Sequence, residues 1–460
     1  MKTLLITTYN TFISRNILNT EVLRLLTQKS DLRIVIFCPP HKVDLFKQYY
    51  GHKNVVFEGL DMEPIIRKPW NKKLYRLAFL LENSQYVKDQ RLERYWNNRN
   101  VLGYLNYLWV SGLSCFLSSF RFFFSGYRFF DYYFSDRRVL GSNFNKYNPD
   151  FVFATDSFGE MDVWFMKEAR ARKVPLITMV RSWDNTTTKG MLRVVPDEII
   201  VNSPVVKNEL IQFHGCRSEN VFVAGLPQFD SWLSGPTESR DQFFSKIGAD
   251  HKKRLILFAP AGKVLSDTDW QICQILKESL ENGFLPNNIQ FLVRNHPQHP
   301  ADLSRFVGDN SFIIENPGFM IKDEDRKNVE LKPEEGDHLR NSIYYSDVVM
   351  YVATSLGIDA SIYNKPQILI SFDGWEKRPY IRSVRRYNAE DCLGNLVKCG
   401  GTSVVNNREE LVAAINNYFK NPALDQAGRD VTIKQHLYKI DGGAGKRIAN
   451  FILDFMTTKK

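Results

Sequence analysis

The sequence lacks the features that mark several large classes of protein. Its six cysteines are scattered without a CxxC pair, which argues against a structural zinc site or a disulfide framework and favours a reducing cytoplasm. It has no lysine- or arginine-rich block, no zinc-finger spacing and no helix-turn-helix pattern, so no nucleic-acid partner is expected. No repeat of 20 to 50 residues is evident. With these classes disfavoured, the sequence is that of an ordinary globular protein.

The chain is long and carries a moderate positive charge. Its 460 residues exceed what one hydrophobic core usually supports, so two domains are expected. The net charge of +10 fits an anionic ligand, a nucleic acid or an acidic membrane surface without choosing among them. The first ten residues, MKTLLITTYN, end in polar residues without a small-residue cleavage site. We therefore interpret them as a first β-strand and not as a signal peptide.

Apolar strands alternate with helical patterns along most of the chain, which predicts parallel sheets flanked by helices. We predict an N-terminal acceptor-binding unit over residues 1–233, a polar linker over 234–253 and a donor-binding unit over 254–440. The last helix, within 441–460, follows a Gly-Gly break and is expected to return to the first unit. The predicted fold class is α/β, with two Rossmann-like domains facing a cleft.

A charged segment at 315–337 is predicted to be an exposed connection. Short apolar runs mark the predicted strands. The predicted strands are 3–8, 33–37, 150–154, 175–180, 197–202 and 221–224 in the first unit, and 254–259, 289–293, 348–352 and 367–371 in the second.

Residues 104–134 are densely aromatic, with two arginines among them. A membrane span over 104–120 would carry no charge, but it would lie at the lower limit of length for crossing a bilayer. The other interpretations are one or two helices packed inside the first domain, and an aromatic and basic surface resting on the inner leaflet as a peripheral membrane contact. A helical insertion near 100–140 is predicted in each case.

Strand ends of the second unit carry groups that suit an anion. The strand 254–259 runs into a turn of small residues, in which the backbone N–H of Gly262 and the charge of Lys263 could approach a phosphate. A tight turn with a surface lysine explains the same residues equally well. The next strand ends in Arg294, which we count with the donor-binding residues.

A His-Pro step follows this arginine. Pro297 confines His296 to extended geometry, so the imidazole is expected at the strand tip and not in a helix. There it could donate a hydrogen bond to a phosphate oxygen or protonate a leaving group, although a plain loop is the alternative.

The strand 348–352 is followed by Thr354, Ser355 and a helix start. Two hydroxyls at that place suit an anion, but they also suit an ordinary N-cap. Asp359 could bind a ribose hydroxyl from the first turn of the helix, or it could favour the helix dipole. Since these strand ends occur in order within one α/β unit, a single nucleotide-phosphate pocket is the favoured interpretation.

The order of these motifs resembles the donor domain of GT-B glycosyltransferases, over roughly residues 254–450. It is similar to Kdo capsule transferases and to CDP-glycerol glycerophosphotransferases, because the chain carries in that order His296-Pro297, Thr354-Ser355, Asp359 and Lys365-Pro366. The resemblance implies that His296, Thr354 and Ser355 hold the donor phosphate, and that the donor is CMP- or CDP-linked. UDP-N-acetylglucosamine 2-epimerases share this architecture, but Thr354-Ser355-Leu356 stands in place of their Ser-Gly-Gly turn.

The first unit contains a polar decapeptide, RSWDNTTTKG at 181–190, directly after a buried strand. Charged groups in that place are costly unless they meet a ligand or each other. Arg181 and Lys189 could hold an acidic sugar or a phosphate of the acceptor, and Trp183 could support a sugar ring. Asp184 is the candidate general base for the acceptor hydroxyl. A loop capped by its own Asp is the alternative.

Asp156, at the end of the neighbouring strand, is the second candidate base. If Asp156 and Asp184 both face the cleft, their repulsion could raise the pKa of one of them. Asn10 and Arg15 could contact the acceptor, with helix capping as an equal alternative. No DxD motif follows a strand, since Asp267-Thr-Asp269 is interpreted as a helix cap. Transfer without a metal or a cofactor is therefore expected.

Together these features predict a metal-independent glycosyltransferase of bacterial surface-polysaccharide assembly, working at the cytoplasmic face of the membrane. It would pass a sugar from a nucleotide-activated donor to a glycan or lipid-linked acceptor. A polyol-phosphate transferase on the same scaffold is the nearest alternative. A sugar-nucleotide 2-epimerase and a membrane-resting carbohydrate-binding subunit without turnover are the others.

Overall fold

Two parallel sheets organise the chain, which a computed structural model describes over residues 1–320, 329–330 and 332–459. Each sheet is the centre of one compact unit. The first unit comprises Met1–Ser231 and Tyr438–Lys460, and the second comprises Trp232–Leu437.

The sheet of the first unit has seven strands in the order β3-β2-β1-β4-β5-β6-β7. They are β1 (Lys2–Thr7), β2 (Leu32–Cys38), β3 (Val55–Gly59), β4 (Phe151–Ala154), β5 (Leu176–Met179), β6 (Glu198–Val201) and β7 (Val221–Val223). The strand order reverses between β1 and β4, which pair directly. At such a reversal the loops that follow the two strands diverge and leave a crevice at the carboxyl edge of the sheet.

Helices cover both faces of this sheet because its strands are apolar on both faces. Leu4 and Ile6 of β1 belong to one buried cluster, whereas Leu5 between them belongs to another. The helices are α1 (Thr11–Ile13), α2 (Glu21–Thr27), α3 (Val43–Tyr50), α4 (Glu63–Ile66), α5 (Pro69–Ala78), α6 (Gln85–Asn97), α7 (Val101–Ser118), α8 (Arg121–Tyr133), α9 (Gly141–Tyr147), α10 (Asp162–Arg172), α11 (Asn185–Thr188) and α12 (Pro204–His214).

The second unit repeats this plan with six strands in the order β10-β9-β8-β13-β14-β15. They are β8 (Arg254–Ala259), β9 (Ile289–Arg294), β10 (Phe312–Glu315), β13 (Val348–Tyr351), β14 (Gln367–Ile370) and β15 (Ser403–Val405), and the antiparallel pair β11 (Phe319–Met320) and β12 (Val329–Glu330) lies outside the sheet. The strand order reverses between β8 and β13, so the second crevice lies there.

The helices of the second unit begin inside the segment that we predicted to be a linker. They are α13 (Arg240–Ile247), α14 (Asp269–Glu281), α15 (Pro333–Tyr345), α16 (Leu356–Ser361), α17 (Asp391–Lys398), α18 (Arg408–Lys420) and α19 (Gln426–Thr432). Phe243 and Phe244 of α13 are fully buried. The stretch 234–253 is therefore part of the second unit and not a free connection, because its two adjacent phenylalanines are withdrawn from water.

The last helix, α20 (Ala444–Thr458), packs in the first unit. Ile448 and Ile452 are fully buried in the same cluster as Leu4. The carboxylate of Asp230 accepts hydrogen bonds from the backbone N–H groups of Ala444 (3.0 Å) and Gly445 (2.7 Å), and so caps a helix that begins more than 200 residues later in the chain.

Each of the ten predicted strands is present, with ends that differ by one residue at most. Five strands were missed: the short antiparallel pair β11 and β12, and β3, β10 and β15, which lie at the edges of the two sheets and are half-exposed. Their apolar patterns are weak because an edge strand buries fewer side chains.

The predicted exposed connection, 315–337, lies partly outside the described residues. Its described part is less exposed than expected, because Glu330 is buried, Glu315 is half-buried and α15 begins at Pro333. The aromatic insertion forms the predicted helices, α7 and α8. The interpretation that these helices pack inside the first domain is wrong for α7, because only 6% of this helix is buried.

Candidate active site

A buried ion pair lies at the carboxyl end of β4, beside the strand reversal of the first unit. Asp156 is only 5% exposed, and its carboxylate accepts hydrogen bonds from Arg181 Nε at 2.8 Å and Asn185 Nδ2 at 3.3 Å. Burial disfavours the charge of Arg181, but the carboxylate of Asp156 outweighs this effect and raises the pKa of the guanidinium. Two residues predicted for separate roles, base and acceptor binding, are therefore bound to each other.

A second carboxyl group, Asp162, lies directly behind this pair. The Thr7 hydroxyl and the backbone N–H of Asp156 both donate to Asp162 Oδ1. Burial, and then the charge of Asp156, raise the pKa of Asp162 to about 7. The predicted repulsion between two carboxylates is thus present, but the partner of Asp156 is Asp162 and not Asp184. Asp162 could not be singled out from the sequence because it stands at the start of α10, where an acidic residue is ordinary.

Asp184 is held by its own loop. Its carboxylate accepts from Ser182 Oγ at 2.5 Å and from Thr188 Oγ1 at 3.3 Å, while its backbone carbonyl accepts from Thr187 and Thr188. This is the capped-loop arrangement that the sequence left open. Among the contacts of the described residues, Asp184 and Asp156 share no hydrogen bond, and Asn185 is the link between them.

The same loop is anchored on α12 by a buried network. Thr186 donates to Glu209, and its backbone carbonyl accepts from His214 Nε2 at 2.7 Å. Nδ1 of His214 accepts from the Leu192 N–H at 3.2 Å, and burial lowers the pKa of the ring to about 3. The imidazole is therefore neutral, with its proton on Nε2, and it ties the middle of the loop to the segment that follows it.

Three buried amide oxygens surround this edge of the sheet. Within the described part of the chain, the side-chain oxygens of Asn16, Asn185 and Asn202 have no hydrogen-bond partner, although each residue is at most 3% exposed. They follow β1, β5 and β6, and Asn16 lies on a π-helical turn (Ser14–Leu18) of the kind often found at functional sites. A buried acceptor without a partner is costly, so these oxygens mark places for water or a ligand.

The other predicted acceptor residues take different positions. Asn10 caps α1 by accepting from the Phe12 N–H at 3.0 Å, so its capping role is the one seen. The guanidinium groups of Arg15 and Arg181 lie 5.2 Å and 5.9 Å from the Phe12 ring centroid. Trp183 in the loop is half-buried.

Lys189 lines a narrow pocket together with Tyr75, Glu160 and Arg193. Burial raises the pKa of Glu160. Arg193 in this pocket is already paired with the Asp131 carboxylate at 2.6 Å, so Lys189 is the cation of the loop that is left for an acceptor.

In the second unit, the small-residue turn after β8 already holds an anion of the protein itself. The N–H groups of Ala261 and Gly262 donate to the Asp269 carboxylate at 3.2 Å and 2.8 Å. Burial raises the pKa of Asp269 to about 6. The prediction that these N–H groups face a donor phosphate is therefore wrong for this structure. Asp269, which we interpreted as a helix cap, caps this turn instead, and Lys263 is a solvent-exposed side chain.

Gly262 is required for packing. Its φ of +80° is in the left-handed region, and a Cβ there would lie 2.1 Å from the His299 carbonyl oxygen and 3.6 Å from His296 Cβ. The turn after β8 and the His-Pro loop after β9 are thus in direct contact, as the sequence predicted for two ends of one pocket.

Arg294 does not face a donor in this structure. Its guanidinium pairs with Glu315 and Glu335, each at 2.9 Å. The parallel register of β9 and β10 sets Arg294 opposite Glu315, so the pair follows from strand pairing. Burial alone would raise the pKa of Glu315, but His338 and Arg294 lower it below its ordinary value. The sequence could not show this because β10 was not predicted.

His296 remains a candidate ligand for the donor phosphate, with its imidazole in the neutral form. Its Nδ1 accepts from the N–H groups of Gln298 (3.1 Å) and His299 (3.2 Å), and its ring stacks on that of His299 with centroids 5.3 Å apart. Burial, and then His299, lower the pKa of His296 to about 4. The ring is therefore neutral near pH 7 with its proton on Nε2, which suits hydrogen-bond donation better than protonation of a leaving group.

Thr354 and Ser355 follow β13, two strands away from His296. Thr354 Oγ1 accepts from the Leu356 N–H at 3.0 Å, so Thr354 starts α16, while Ser355 makes no such capping bond. Asp359 on this helix is 9% exposed. Since β9, β8 and β13 are neighbours, the strands that lead to the imidazole and to the hydroxyl pair lie two strand spacings apart, or about 10 Å.

The family model described as CDP-Glycerol:Poly(glycerophosphate) glycerophosphotransferase matches residues 175–454, which is more than half of the chain. The chain belongs to this family. The matched region includes the loop 181–190, His296 and the Thr354-Ser355 pair. No curated protein matches this glycerophosphotransferase-family sequence.

Solved structures resemble this family member over its whole length. Staphylococcus aureus MnaA with UDP is 13% identical, with 100% of this chain and 99% of that chain covered and a TM-score of 0.57. UDP-GlcNAc 2-epimerase from Neisseria meningitidis is 12% identical, with 99% and 100% covered and a TM-score of 0.57. The wall teichoic acid polymerase TagF is 11% identical, with 100% and 90% covered and a TM-score of 0.52.

These likenesses confirm the predicted fold class, α/β with two Rossmann-like domains of GT-B type. The family match supports a transferase of cell-wall or surface-polymer synthesis and the CDP-glycerol side of the predicted resemblance. In the ranges that the structure describes, no cluster of three or more His, Cys, Asp and Glu side chains is placed to hold a metal ion.

Asp162 gives a pH-dependent prediction. Its folded-state pKa is raised, so the native state holds a proton that the unfolded state has released; the resulting stability is present below about pH 4 and is lost as the pH rises through about 7. Asp162→Asn keeps the acceptor oxygen and removes this loss. We expect the melting temperature of the variant, relative to wild type, to rise by a few degrees between about pH 5 and pH 8.

Asp44→Asn is the matched control, because Asp44 is exposed. Its difference from wild type should stay constant across the same range. A flat profile for both variants would show that Asp162 is ionised throughout.

Proposed function

We propose that this protein transfers a polyol phosphate from a CDP-activated donor to a surface polymer or a lipid-linked acceptor. The family match over residues 175–454 carries this proposal. The net charge of +10 suits a donor and an acceptor that both carry phosphate.

The reaction would be a phosphoryl transfer. The acceptor hydroxyl oxygen attacks the β-phosphorus of the donor, the bond from that phosphorus to the oxygen bridging to CMP breaks, and CMP leaves with the electron pair. The hydroxyl proton passes to a general base. Catalysis of this type depends on positioning the two oxygens and on stabilising charge on the phosphoryl group.

For the donor, we propose that the His296 Nε2–H and the hydroxyls of Thr354 and Ser355 bind its phosphates. Two features support this assignment: two backbone N–H groups donate to Nδ1 of the imidazole and leave Nε2–H for a ligand, and Ser355 has no capping bond. The separation of about two strands suits a diphosphate held between the two sets of donors. Asp359 is proposed for a ribose hydroxyl.

For the acceptor, we propose Asp184 as the base, because Asp156 is already bound by Arg181 and Asn185. Lys189, at the end of the same loop, would meet a phosphate of the acceptor. Because the donor is a nucleotide and the six cysteines are free, we place the reaction on the cytoplasmic side of the cell membrane.

Glycosyl transfer from a CMP- or CDP-linked sugar is the second candidate. The half-buried Trp183 in the acceptor-side loop favours it, since a sugar ring can rest on an indole. A capsular or lipopolysaccharide glycan would then be the acceptor. An epimerase would differ from both in turning over without an acceptor.

Nucleotide binding separates the two cytidine-dependent candidates from uridine-dependent sugar transfer and epimerisation. We expect CDP and CMP to raise the melting temperature more than UDP, UMP, GDP or TDP, because the donor pocket is proposed to recognise cytidine. A ligand at about 100 times its Kd stabilises by roughly 2.7 kcal/mol, which a thermal-shift assay resolves. A preference for uridine would contradict the proposed donor and favour ordinary sugar transfer or epimerisation.

The donor pocket is tested by His296→Ala. We expect CMP release from CDP-glycerol to fall about 10²- to 10³-fold, the loss typical of one hydrogen-bond donor to a transition state. His296→Gln should recover part of the rate, because its amide N–H can replace Nε2–H.

His251→Ala is the control, since His251 lies in the same unit with a side chain 42% exposed. It should keep the wild-type rate. Full activity of a folded His296→Ala variant would remove this residue from the pocket.

The proposed base is tested by Asp184→Asn. We expect turnover to fall by about 10²-fold or more while donor affinity is retained, because only proton removal is lost. The exposed Asp44→Asn again serves as the control. Unchanged turnover in Asp184→Asn would move the base to Asp156 or elsewhere.

A further inference from the structure

We propose that α7 and α8 form an in-plane docking surface for a lipid bilayer that carries anionic head groups. The surface belongs to the first unit alone and does not depend on the reaction proposed above. Its occupant is the membrane surface itself, which these helices enter without crossing it.

Helix α7 exposes large apolar side chains to water, which is unfavourable. The helix has 18 residues, a mean hydropathy of 1.2 and no charged residue, yet only 6% of it is buried. Its exposed large side chains include Leu102 (78%), Leu105 (55%), Leu108 (47%), Trp109 (69%) and Phe116 (55%). A continuous apolar surface of this kind marks a site of interaction.

The outer face of α8 continues this surface. Phe124, Tyr127 and Asp131 turn toward the unit and are buried. The opposite stripe carries Phe122 (66% exposed) and Phe129 (62% exposed). An amphipathic helix on a water-facing surface would present polar residues there, whereas this helix presents aromatic rings, which suit the interface between head groups and acyl chains.

Both ends of α7 are tied to the same unit, which argues against a span. At its start, the rings of Tyr104 and Tyr107 each lie 5.6 Å from Tyr95 of α6. Helix α6 is itself fixed by Arg91, which donates to the carbonyls of Phe79 and Glu82. The N-terminal end of α7 is therefore held on the surface of the folded unit.

The other end of α7 is held in the same way. The Phe116 ring lies 5.6 Å from Phe123 of α8, and the Tyr127 hydroxyl of α8 donates to the Leu74 carbonyl at 3.0 Å. A span would need the two ends of α7 on opposite sides of a hydrocarbon core about 30 Å thick. The helix is about 27 Å long and both of its ends are anchored on one folded body, so it lies along the membrane.

The charge of the segment complements acidic lipids. Residues 94–130 include four arginines and no acidic residue. Arg94, Arg99 and Arg121 are exposed at the two ends of α7, and the Arg99 guanidinium stacks 3.3 Å from the Trp96 ring centroid. Basic residues beside an exposed apolar helix favour the surface of an anionic leaflet over a neutral one.

The docking surface is also connected to the candidate active site. Arg128 of α8 donates to the carbonyls of Leu192 (2.9 Å) and His214 (2.7 Å), and Asp131 pairs with Arg193 at 2.6 Å. These contacts fix α8 to the segment that follows the loop 181–190. A membrane-bound α8 would therefore hold that loop near the lipid head groups, where a lipid-linked acceptor would present its reacting end.

Sedimentation with lipid vesicles tests the surface. We expect the full chain to bind vesicles of phosphatidylcholine with added phosphatidylglycerol, and to bind pure phosphatidylcholine vesicles much more weakly. Leu105→Asp with Trp109→Asp should reduce binding more than tenfold, because both side chains would enter the interface. Val307→Asp is the matched control, since Val307 is 77% exposed in the second unit and should leave binding unchanged.

The charge contribution is measured separately. Arg99→Gln and Arg121→Gln should each weaken binding to the anionic vesicles about fivefold, and high salt should release the protein. Lys420→Gln, at an exposed site of the second unit, is the control. Wild-type binding by the Leu105→Asp, Trp109→Asp variant would overturn the proposal, as would failure of the wild type to bind either kind of vesicle.

The depth of a spin label in the bilayer distinguishes docking of α7 from spanning. Gly112 is exposed near the middle of α7 with open space around it, so Gly112→Cys in a Cys115→Ser background accepts a spin label. In-plane docking places the label about 5–10 Å below the surface, whereas a span would bury it near the bilayer centre and overturn the proposal. Vesicle binding needs no nucleotide, so failure of the proposed reaction would leave these results unchanged.

Discussion

The buried pair of Arg181 and Asp156 holds the carboxyl edge of the first sheet together. Asp156 ends β4, Arg181 follows β5, and Asn185 adds a third contact from the same loop. A buried charge without its partner is strongly destabilising, so neither residue can leave this arrangement cheaply. Burial, and then the carboxylate of Asp156, raise the pKa of Asp162 behind the pair. The loop that carries Asp184 is therefore set by electrostatics inside the sheet as well as by its own hydroxyls.

The central strands could be predicted because they are buried on both faces and need no partner to be recognised. Leu255, Ile256 and Leu257 of β8 are all fully buried, so an unbroken apolar run was the expected pattern. The reversal of strand order in each sheet follows the general plan of such folds, and it places the strand ends named from sequence around one crevice per unit. Pattern and topology were thus sufficient for the fold.

Partners of individual side chains could not be predicted in the same way. Arg294 was assigned to a ligand because Glu315, its partner, lies on an edge strand with a weak pattern. Gly262 was assigned to a phosphate because nothing in the sequence shows that Asp269 turns back toward it. In both cases a protein carboxylate occupies the place where an anionic ligand was expected. The sequence shows that these strand ends carry groups that bind anions. It does not show which carboxylate of the chain already occupies each of them.

The C-terminal helix has a consequence for how the chain is made. Ile448 and Ile452 complete a core whose other members come from the first third and the middle of the sequence. During synthesis, β1 and α2 leave the ribosome long before α20 exists, while the whole second unit can form in between. The N-terminal unit must therefore wait with part of its interior uncovered until the last residues arrive, and the order of completion is the reverse of the order of the two units along the chain.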